Sequence, residues 1–316
     1  MHSILITGGA GFLGSSLTDF LLRETDYKII LINKPEHTSR LHRNDRVKVV
    51  HHDLKKPMGI RCLQEIGEVD YIIHFAGSTD IKKSIKDPIC FVMNNVVGTA
   101  NLLEYARNNV KNLKQFLYLS TAEVFGRGTP GAIFKEDDAL LSHSPYAATK
   151  IGAQELCMSY KNTFDIPVVI AYAMNAFGIH QPQDKFIPLI VEKILREEKV
   201  LIHLNADATA PNRRNYLHVD DLCDAVLFLS LHGLPGEKYN IAAAEESDNL
   251  KLAQTISRLL GKKLNYKFVE QEQNSLALPR LSGEKLQKLG WQQKKTLEEG
   301  LKDLVEETKE RKAYDW

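Results

Sequence analysis

The chain has 316 residues, 43% of them hydrophobic and 26% charged, with a formal net charge of +1. A charge so near zero argues against a nucleic-acid partner or an anionic membrane surface. Apolar runs such as Val168-Val169-Ile170-Ala171 are far too short to span a bilayer.

In chain order, a short apolar strand is predicted over residues 4–7 and a helix over 15–24. The first strand starts so early that no signal peptide is expected. Further strands are predicted over 28–33, 47–51 and 71–76, then a long helix over 88–109. Strands over 116–120 and 168–173 complete this half. Continuous apolar strands between amphipathic helices indicate a parallel sheet covered on both faces, an α/β doubly wound fold of the Rossmann type. After Phe177-Gly178 the elements become shorter and more charged, with helices predicted over 187–199, 220–231, 250–260 and 296–310 and a strand over 200–204. The expected organisation is a dinucleotide-binding domain over 1–178, with a return segment near 215–242. Residues 179–214 and 243–316 form a smaller substrate lobe. Cys62, Cys90, Cys157 and Cys223 have neither pair nor zinc spacing, so reduced thiols, no metal and a cytoplasmic location are expected.

Thr7-Gly8-Gly9-Ala10-Gly11-Phe12-Leu13-Gly14 sits between the first strand and the first helix. Gly8 permits a tight turn, Gly11 lets backbone approach phosphate, and Gly14 allows close helix–strand packing. Such a turn, opening a helix, can hold a pyrophosphate. At the end of the second strand, where an acidic residue usually binds the adenosine ribose, stand Asn33 and Lys34, with Arg40 and Arg43 nearby. An amide plus cations tolerates a 2′-phosphate, which leaves NAD and NADP both open. Asp53, in His52-Asp53-Leu54, is a candidate for the adenine edge.

Ser144-Pro145-Tyr146-Ala147-Ala148-Thr149-Lys150 carries the chemistry. On a helix Tyr146 and Lys150 share one face. An ammonium beside a phenol is expected to lower its pKa and provide a base. Ser120-Thr121-Ala122-Glu123-Val124-Phe125-Gly126 leaves a strand at its carboxyl end, where open α/β sheets place ligands. There a hydroxyl can hold the reacting oxygen, and Glu123 can remove a proton next to a new carbonyl.

With His74-Phe75-Ala76-Gly77, Asn94-Asn95-Val96-Val97-Gly98-Thr99, Asn175-Ala176-Phe177-Gly178 and Arg214-Asn215-Tyr216-Leu217-His218-Val219-Asp220-Asp221, these motifs cover nearly the whole chain in one order. The chain resembles the nucleotide-sugar epimerase/dehydratase family of extended short-chain dehydrogenases/reductases. The resemblance implies that Tyr146 is the base for the sugar 4-hydroxyl and that Lys150 binds the nicotinamide ribose. Thr121 would bond the 4-oxygen. Leu54, Phe75, Ala76, Asn94 and Ser120 would join the cofactor site. Thr79 would face the substrate, Asn175 and Arg214 its diphosphate, and Lys185, Phe186 and Ile187 its base. The Ser-Thr-x-Glu-Val stretch is most similar to the sugar 4,6-dehydratase branch. The implied reaction is loss of water from C5 and C6 through a 4-keto intermediate, with hydride returned internally. A 4-epimerase or a glucuronate-type decarboxylase uses much of the same machinery, and a non-catalytic dinucleotide sensor is the alternative of a different class.

Three positions depart from that branch. Ala122 stands where an acid assists the C6 leaving group, Tyr172 where an arginine is common, and residues 276–280 replace a Gly-His segment. Arg280 is a candidate second phosphate contact. The resemblance also implies a homodimer, with Leu102, Tyr105, Leu156 and Tyr160 as candidate contacts.

Overall fold

The computed structural model describes residues 1–36, 42, 44–126, 132–205, 208–270 and 279–314. Arg40, Arg43 and 276–278 lie outside them. In chain order the first part comprises β1 (Ser3–Thr7), α1 (Phe12–Glu24), β2 (Lys28–Asn33), β3 (Val47–His51), α2 (Ile60–Ile66) and β4 (Tyr71–His74). Next come α3 (Ile81–Lys86), α4 (Pro88–Phe91), a π-helical turn (Val92–Val97), α5 (Gly98–Asn109) and β5 (Gln115–Thr121). A 3₁₀ turn (Ala122–Phe125), β6 (Ile133–Phe134), α6 (Pro145–Phe164), β7 (Val168–Ala173) and β8 (Asn175–Phe177) follow. The remainder is α7 (Phe186–Leu195), β9 (Val200–His203), β10 (Arg213–His218), α8 (Val219–His232), β11 (Lys238–Ile241), β12 (Glu246–Asp248), α9 (Asn249–Leu260), β13 (Tyr266–Val269), β14 (Arg280–Leu281), α10 (Glu284–Leu289) and α11 (Leu297–Tyr314).

Seven strands pair in parallel in the order β11-β7-β5-β4-β1-β2-β3. Alternate residues of each strand enter opposite hydrophobic clusters: Ile4 and Ile6 on one face, Leu5 on the other. Burial on both faces explains the unbroken apolar runs of β1, β2 and β7. Strand order reverses between β1 and β4, so their carboxyl ends frame the crevice in which such sheets bind ligands.

A buried relay braces that crevice. Ala76 N–H donates to Thr7 Oγ1 (3.1 Å), which lies 2.7 Å from His74 Nδ1. His74 Nε2 lies 2.9 Å from Thr99 Oγ1, which donates to Asn95 O. Because Thr99 spends its proton on that carbonyl, Nε2 must be the protonated nitrogen and Nδ1 the acceptor from Thr7. Burial and the Lys150 charge push the His74 pKa down to about 3, which keeps the ring neutral.

A third cluster joins α7, α9, α11 and β9 around Phe177, Ile194, Leu252 and Leu301, with β12-β10-β8 and β13-β9 as small sheets. The chain returns to the main sheet through α8, which packs on α1, and β11, which pairs with β7. Several predicted bounds shift. The strand over 71–76 stops at His74, the helix over 187–199 stops at Leu195, and the helix over 88–109 is interrupted by the π turn. Leu102 and Tyr105 are buried in the core rather than available to a partner. The exposed apolar positions nearby are instead Ile85, Ile89, Val92 and Met93. No described helix is long and apolar enough to cross a membrane.

Candidate active site

The glycine turn is built as the spacing predicts. Gly8 adopts φ +74°, a conformation side chains disfavour, and a Cβ there would lie 3.0 Å from Ala76 N. Gly11 N–H donates to Gly8 O (3.0 Å). A Cβ on Gly14 would lie 2.2 Å from that same oxygen, so α1 reaches β1 only with glycine there. Phe12 and Leu13 open α1, where backbone N–H groups have no intrahelical acceptor and can face an anion.

A cavity of about 300 Å³ lies at the carboxyl ends of β1, β2 and β4. Its walls include Gly8 and Gly11, then Asn33 and Lys34 after β2, and Asp53 and Leu54 after β3. Phe75, Ala76 and Asn94 close the opposite side. The sequence reading missed Ala10, Ile32, His52, Lys55, Gly77 and Ser78, which also line it. Asn33 Oδ1 accepts the Ala10 N–H (2.8 Å), which fastens the glycine turn to β2. Lys34 Nζ donates to Asn94 Oδ1 (3.0 Å) and lies 3.9 Å from Asp53. Burial works against the Asp53 charge. The Lys55 N–H and the Lys34 and Lys55 ammoniums outweigh it and hold the carboxyl below its ordinary range.

Asn95 is a further residue that the sequence reading passed over in favour of Asn94. Its amide accepts the Ser78 N–H (2.7 Å) and donates to Ser78 O (3.0 Å) and Thr149 Oγ1 (2.9 Å). It thereby joins the cavity wall to the helix that carries Tyr146 and Lys150. Only the doubled Asn was visible in the sequence; the π turn that carries it, a feature frequent at functional sites, appears in the structure.

Beyond the cavity, β5 delivers Ser120 and Thr121, and the 3₁₀ turn carries Glu123. Thr121 Oγ1 accepts the Glu123 N–H (3.3 Å). Ser120 Oγ is buried with no hydrogen-bond partner among the described residues, a free polar atom of the kind a ligand completes. Helix α6 starts from a Ser144 cap with Pro145 in its first turn, which sets the phase for the next residues. Tyr146 is 7% exposed and Lys150 8%. Lys150 Nζ donates to Leu119 O (2.7 Å) and sits 4.2 Å from the Tyr118 ring centre.

The expected lowering of the Tyr146 pKa by Lys150 is not found. Burial pushes the phenol up to about 12, opposed by the Thr121 side chain and reinforced by the Glu123 charge. Burial likewise lowers Lys150 to about 7. Water exclusion outweighs pairing because Lys150 spends its contact on a backbone carbonyl. Glu123 is raised by burial and pulled back by Arg214, which places a guanidinium in its field.

The expected substrate residues divide. Asn175 on β8 donates to Asn215 O (3.3 Å), and Phe186 lies parallel to Tyr216 at 6.4 Å. Lys185 caps α7 beside Asp184 (3.5 Å), and Thr79 is exposed in the β4–α3 loop. Ile187 turns into the lobe core, so its side chain cannot border a nucleotide base. Arg280 Nε lies 3.8 Å from Glu246, a carboxylate that also accepts from Arg213 Nε (2.7 Å).

Residues 4–242 match the NAD dependent epimerase/dehydratase family. The chain belongs to this family. A trifunctional UDP-glucose 4,6-dehydratase/UDP-4-keto-6-deoxy-D-glucose 3,5-epimerase/UDP-4-keto-L-rhamnose-reductase of Arabidopsis thaliana is 32% identical over 96% of this chain, which spans 46% of that protein's length. A dTDP-D-glucose 4,6-dehydratase of Mus musculus is 30% identical over 96% of this chain and 87% of its own. Among solved structures, dTDP-glucose 4,6-dehydratase of Bacillus anthracis in complex with NAD superposes with a TM-score of 0.85. It shares 28% identity over 99% of this chain and 98% of its own. The chain spans about half the length of the first curated relatives it matches.

Proposed function

We propose that this family member is a nucleotide-sugar dehydratase that forms a 4-keto intermediate and eliminates water between C5 and C6. The observation that carries the reading is Glu123, a half-buried carboxyl in the electrostatic field of both Tyr146 and Arg214, on the turn that leaves β5. A simple alcohol oxidation has no use for it; abstraction of a proton beside a ketone does. The glycine cradle, the free Ser120 hydroxyl and the cavity fit a nicotinamide dinucleotide, either NAD or NADP. Bound there, it supplies a hydride acceptor at C4 and the hydride returned to C6.

In this reading Tyr146 takes the 4-hydroxyl proton and Thr121 holds that oxygen. Lys150 orients the nicotinamide ribose. The new 4-ketone acidifies the C5 proton, which Glu123 removes. The C6 hydroxyl then leaves as water. With a methyl group at Ala122, the protonated Glu123 is the group placed to return a proton to that oxygen. Burial raises the Glu123 pKa, which makes the carboxylate a better proton acceptor and eases its protonation before it returns the proton. Burial of Tyr146 and Lys150 keeps bulk water from the intermediate. Arg214, with Asn175, binds the diphosphate from the lobe. Residues 1–178 and the 215–242 return would form the dinucleotide domain, and 179–214 and 243–316 the substrate lobe. The exposed row Ile85, Ile89, Val92 and Met93 is the proposed homodimer contact.

Mass spectrometry after incubation with UDP-glucose, dTDP-glucose, UDP-N-acetylglucosamine, GDP-mannose and UDP-glucuronate tests the reading. A product lighter by one water supports it, and loss of C5 deuterium exchange in Glu123→Gln assigns the base. Unchanged mass with altered retention would make the protein a 4-epimerase, with Glu123 a bystander. Loss of carbon dioxide would make it a decarboxylase.

A further inference from the structure

The adenosine end of the cavity departs from the pattern that selects an unphosphorylated ribose. There a carboxylate at the end of the second strand accepts the ribose hydroxyls and repels a 2′-phosphate. Here that position is Asn33, 4% exposed and part of the cavity wall. Its one strong acceptor, Oδ1, is already taken by the Ala10 N–H. Its Nδ2 is buried and has no partner among the described residues. What this wall offers a ligand is therefore a donor, and an unpartnered buried donor is costly until an acceptor arrives.

The charges beside it point the same way. Among the described residues, the charged side chains on the cavity wall are Lys34, Lys55 and Asp53. Asp53 is already compensated, with Lys55 at 3.3 Å and Lys34 at 3.9 Å. These three leave an excess of one positive charge. Lys34 is tied to Asn94 at 3.0 Å, which holds its ammonium at the wall. A dianionic phosphate finds an amide donor and two ammoniums here, and hydrogen bonds to such an anion are the strong kind. A ribose hydroxyl can also accept from Nδ2, but it draws nothing from the excess charge.

We propose that this cavity accepts a 2′-phosphorylated dinucleotide, so that NADP binds at least as tightly as NAD. The proposal rests on the dinucleotide reading above and deepens it. Isothermal titration calorimetry of the full chain, stripped of bound dinucleotide, with NAD⁺ and NADP⁺ tests it without reference to turnover. The expected Kd for NADP⁺ is no larger than that for NAD⁺, and 2′,5′-ADP is expected to bind more tightly than 5′-AMP. Asn33→Asp is isosteric and keeps an oxygen for Ala10 N–H, so the turn survives. It should weaken NADP⁺ by about tenfold or more through like-charge repulsion and leave NAD⁺ within about threefold. Lys34→Ala should weaken NADP⁺ more than NAD⁺. A larger Kd for NADP⁺ than for NAD⁺ in the unsubstituted protein overturns the proposal while leaving the dinucleotide site intact. An equal loss of both ligands in Asn33→Asp also overturns it. Failure of both dinucleotides to bind the unsubstituted protein refutes the parent reading as well.

Discussion

Replacing Lys150 with methionine should stabilise the dinucleotide-free protein at neutral pH while abolishing turnover. Lys150 is 8% exposed, and burial lowers its pKa from 10.5 to about 7. Between those values the unfolded chain binds more protons than the folded one, so the stability of the unsubstituted protein rises with pH across that window. Below about pH 7 both states are charged and the penalty is complete; above about 10.5 it is gone. At about 1.4 kcal/mol per pH unit, the gap corresponds to about 5 kcal/mol. Methionine removes that penalty and fills a similar volume. It also leaves Leu119 O without its 2.7 Å donor, a loss of about 1–2 kcal/mol. The net expectation at pH 7 is a gain of about 3 kcal/mol. Urea unfolding of both proteins from about pH 6 to about pH 10 measures it. The advantage of Lys150→Met should shrink steadily as pH rises and vanish before about pH 10.5. A difference that stays constant with pH, or a less stable Lys150→Met at pH 7, would refute the claim that burial controls this amine.

Gly14→Ala places a Cβ 2.2 Å from Gly8 O, so the turn must move. It should lower stability by about 2–4 kcal/mol and weaken dinucleotide binding, read by urea unfolding and calorimetry. Asn95→Ala removes the bonds from Ser78 N–H and to Ser78 O and Thr149 Oγ1, and should cost about 2–4 kcal/mol, with weaker dinucleotide binding because the cavity wall is freed. An unchanged Kd would show that Asn95 does not position that wall. Ile89→Glu puts a charge on the exposed apolar row of the proposed homodimer contact; on that proposal the unsubstituted protein sediments as a dimer and the variant as a monomer, with little change in unfolding free energy. Tyr146→Phe should end turnover and retain dinucleotide binding, since the phenol lies outside the residues that line the cavity.

The sheet was legible because its strands are buried on both faces: β1, β2, β5 and β7 are apolar runs that need no pairing information to be seen. The glycine turn was legible for an equally local reason, since contacts as close as Gly14 to Gly8 O admit one residue type. What escaped depended on partners distant in sequence. Strands β6 and β14 are two residues each and exist only through pairing with one another. The burial of Leu102 and Tyr105 follows from how the π turn and α5 sit on the sheet, which periodicity within the helix could not indicate. Asn94 and Asn95 are adjacent, and only the turn geometry sends one toward Lys34 and the other toward Thr149.

The same dependence on surroundings governs the chemistry. Spacing put Tyr146 and Lys150 on one face but carried no information on how dry that face is. Burial shifts all three ionisable groups toward their neutral forms: Tyr146 to about 12, Lys150 to about 7, and Glu123 upward. Such a centre avoids the desolvation penalty of fixed buried charges, but it is a weak base as it stands. On the proposed function, a charge that lowers the Tyr146 pKa would be supplied by the bound ligands. Base strength would thereby be coupled to occupancy, and a site of this kind stays chemically quiet until both ligands exclude water and bring their own charges.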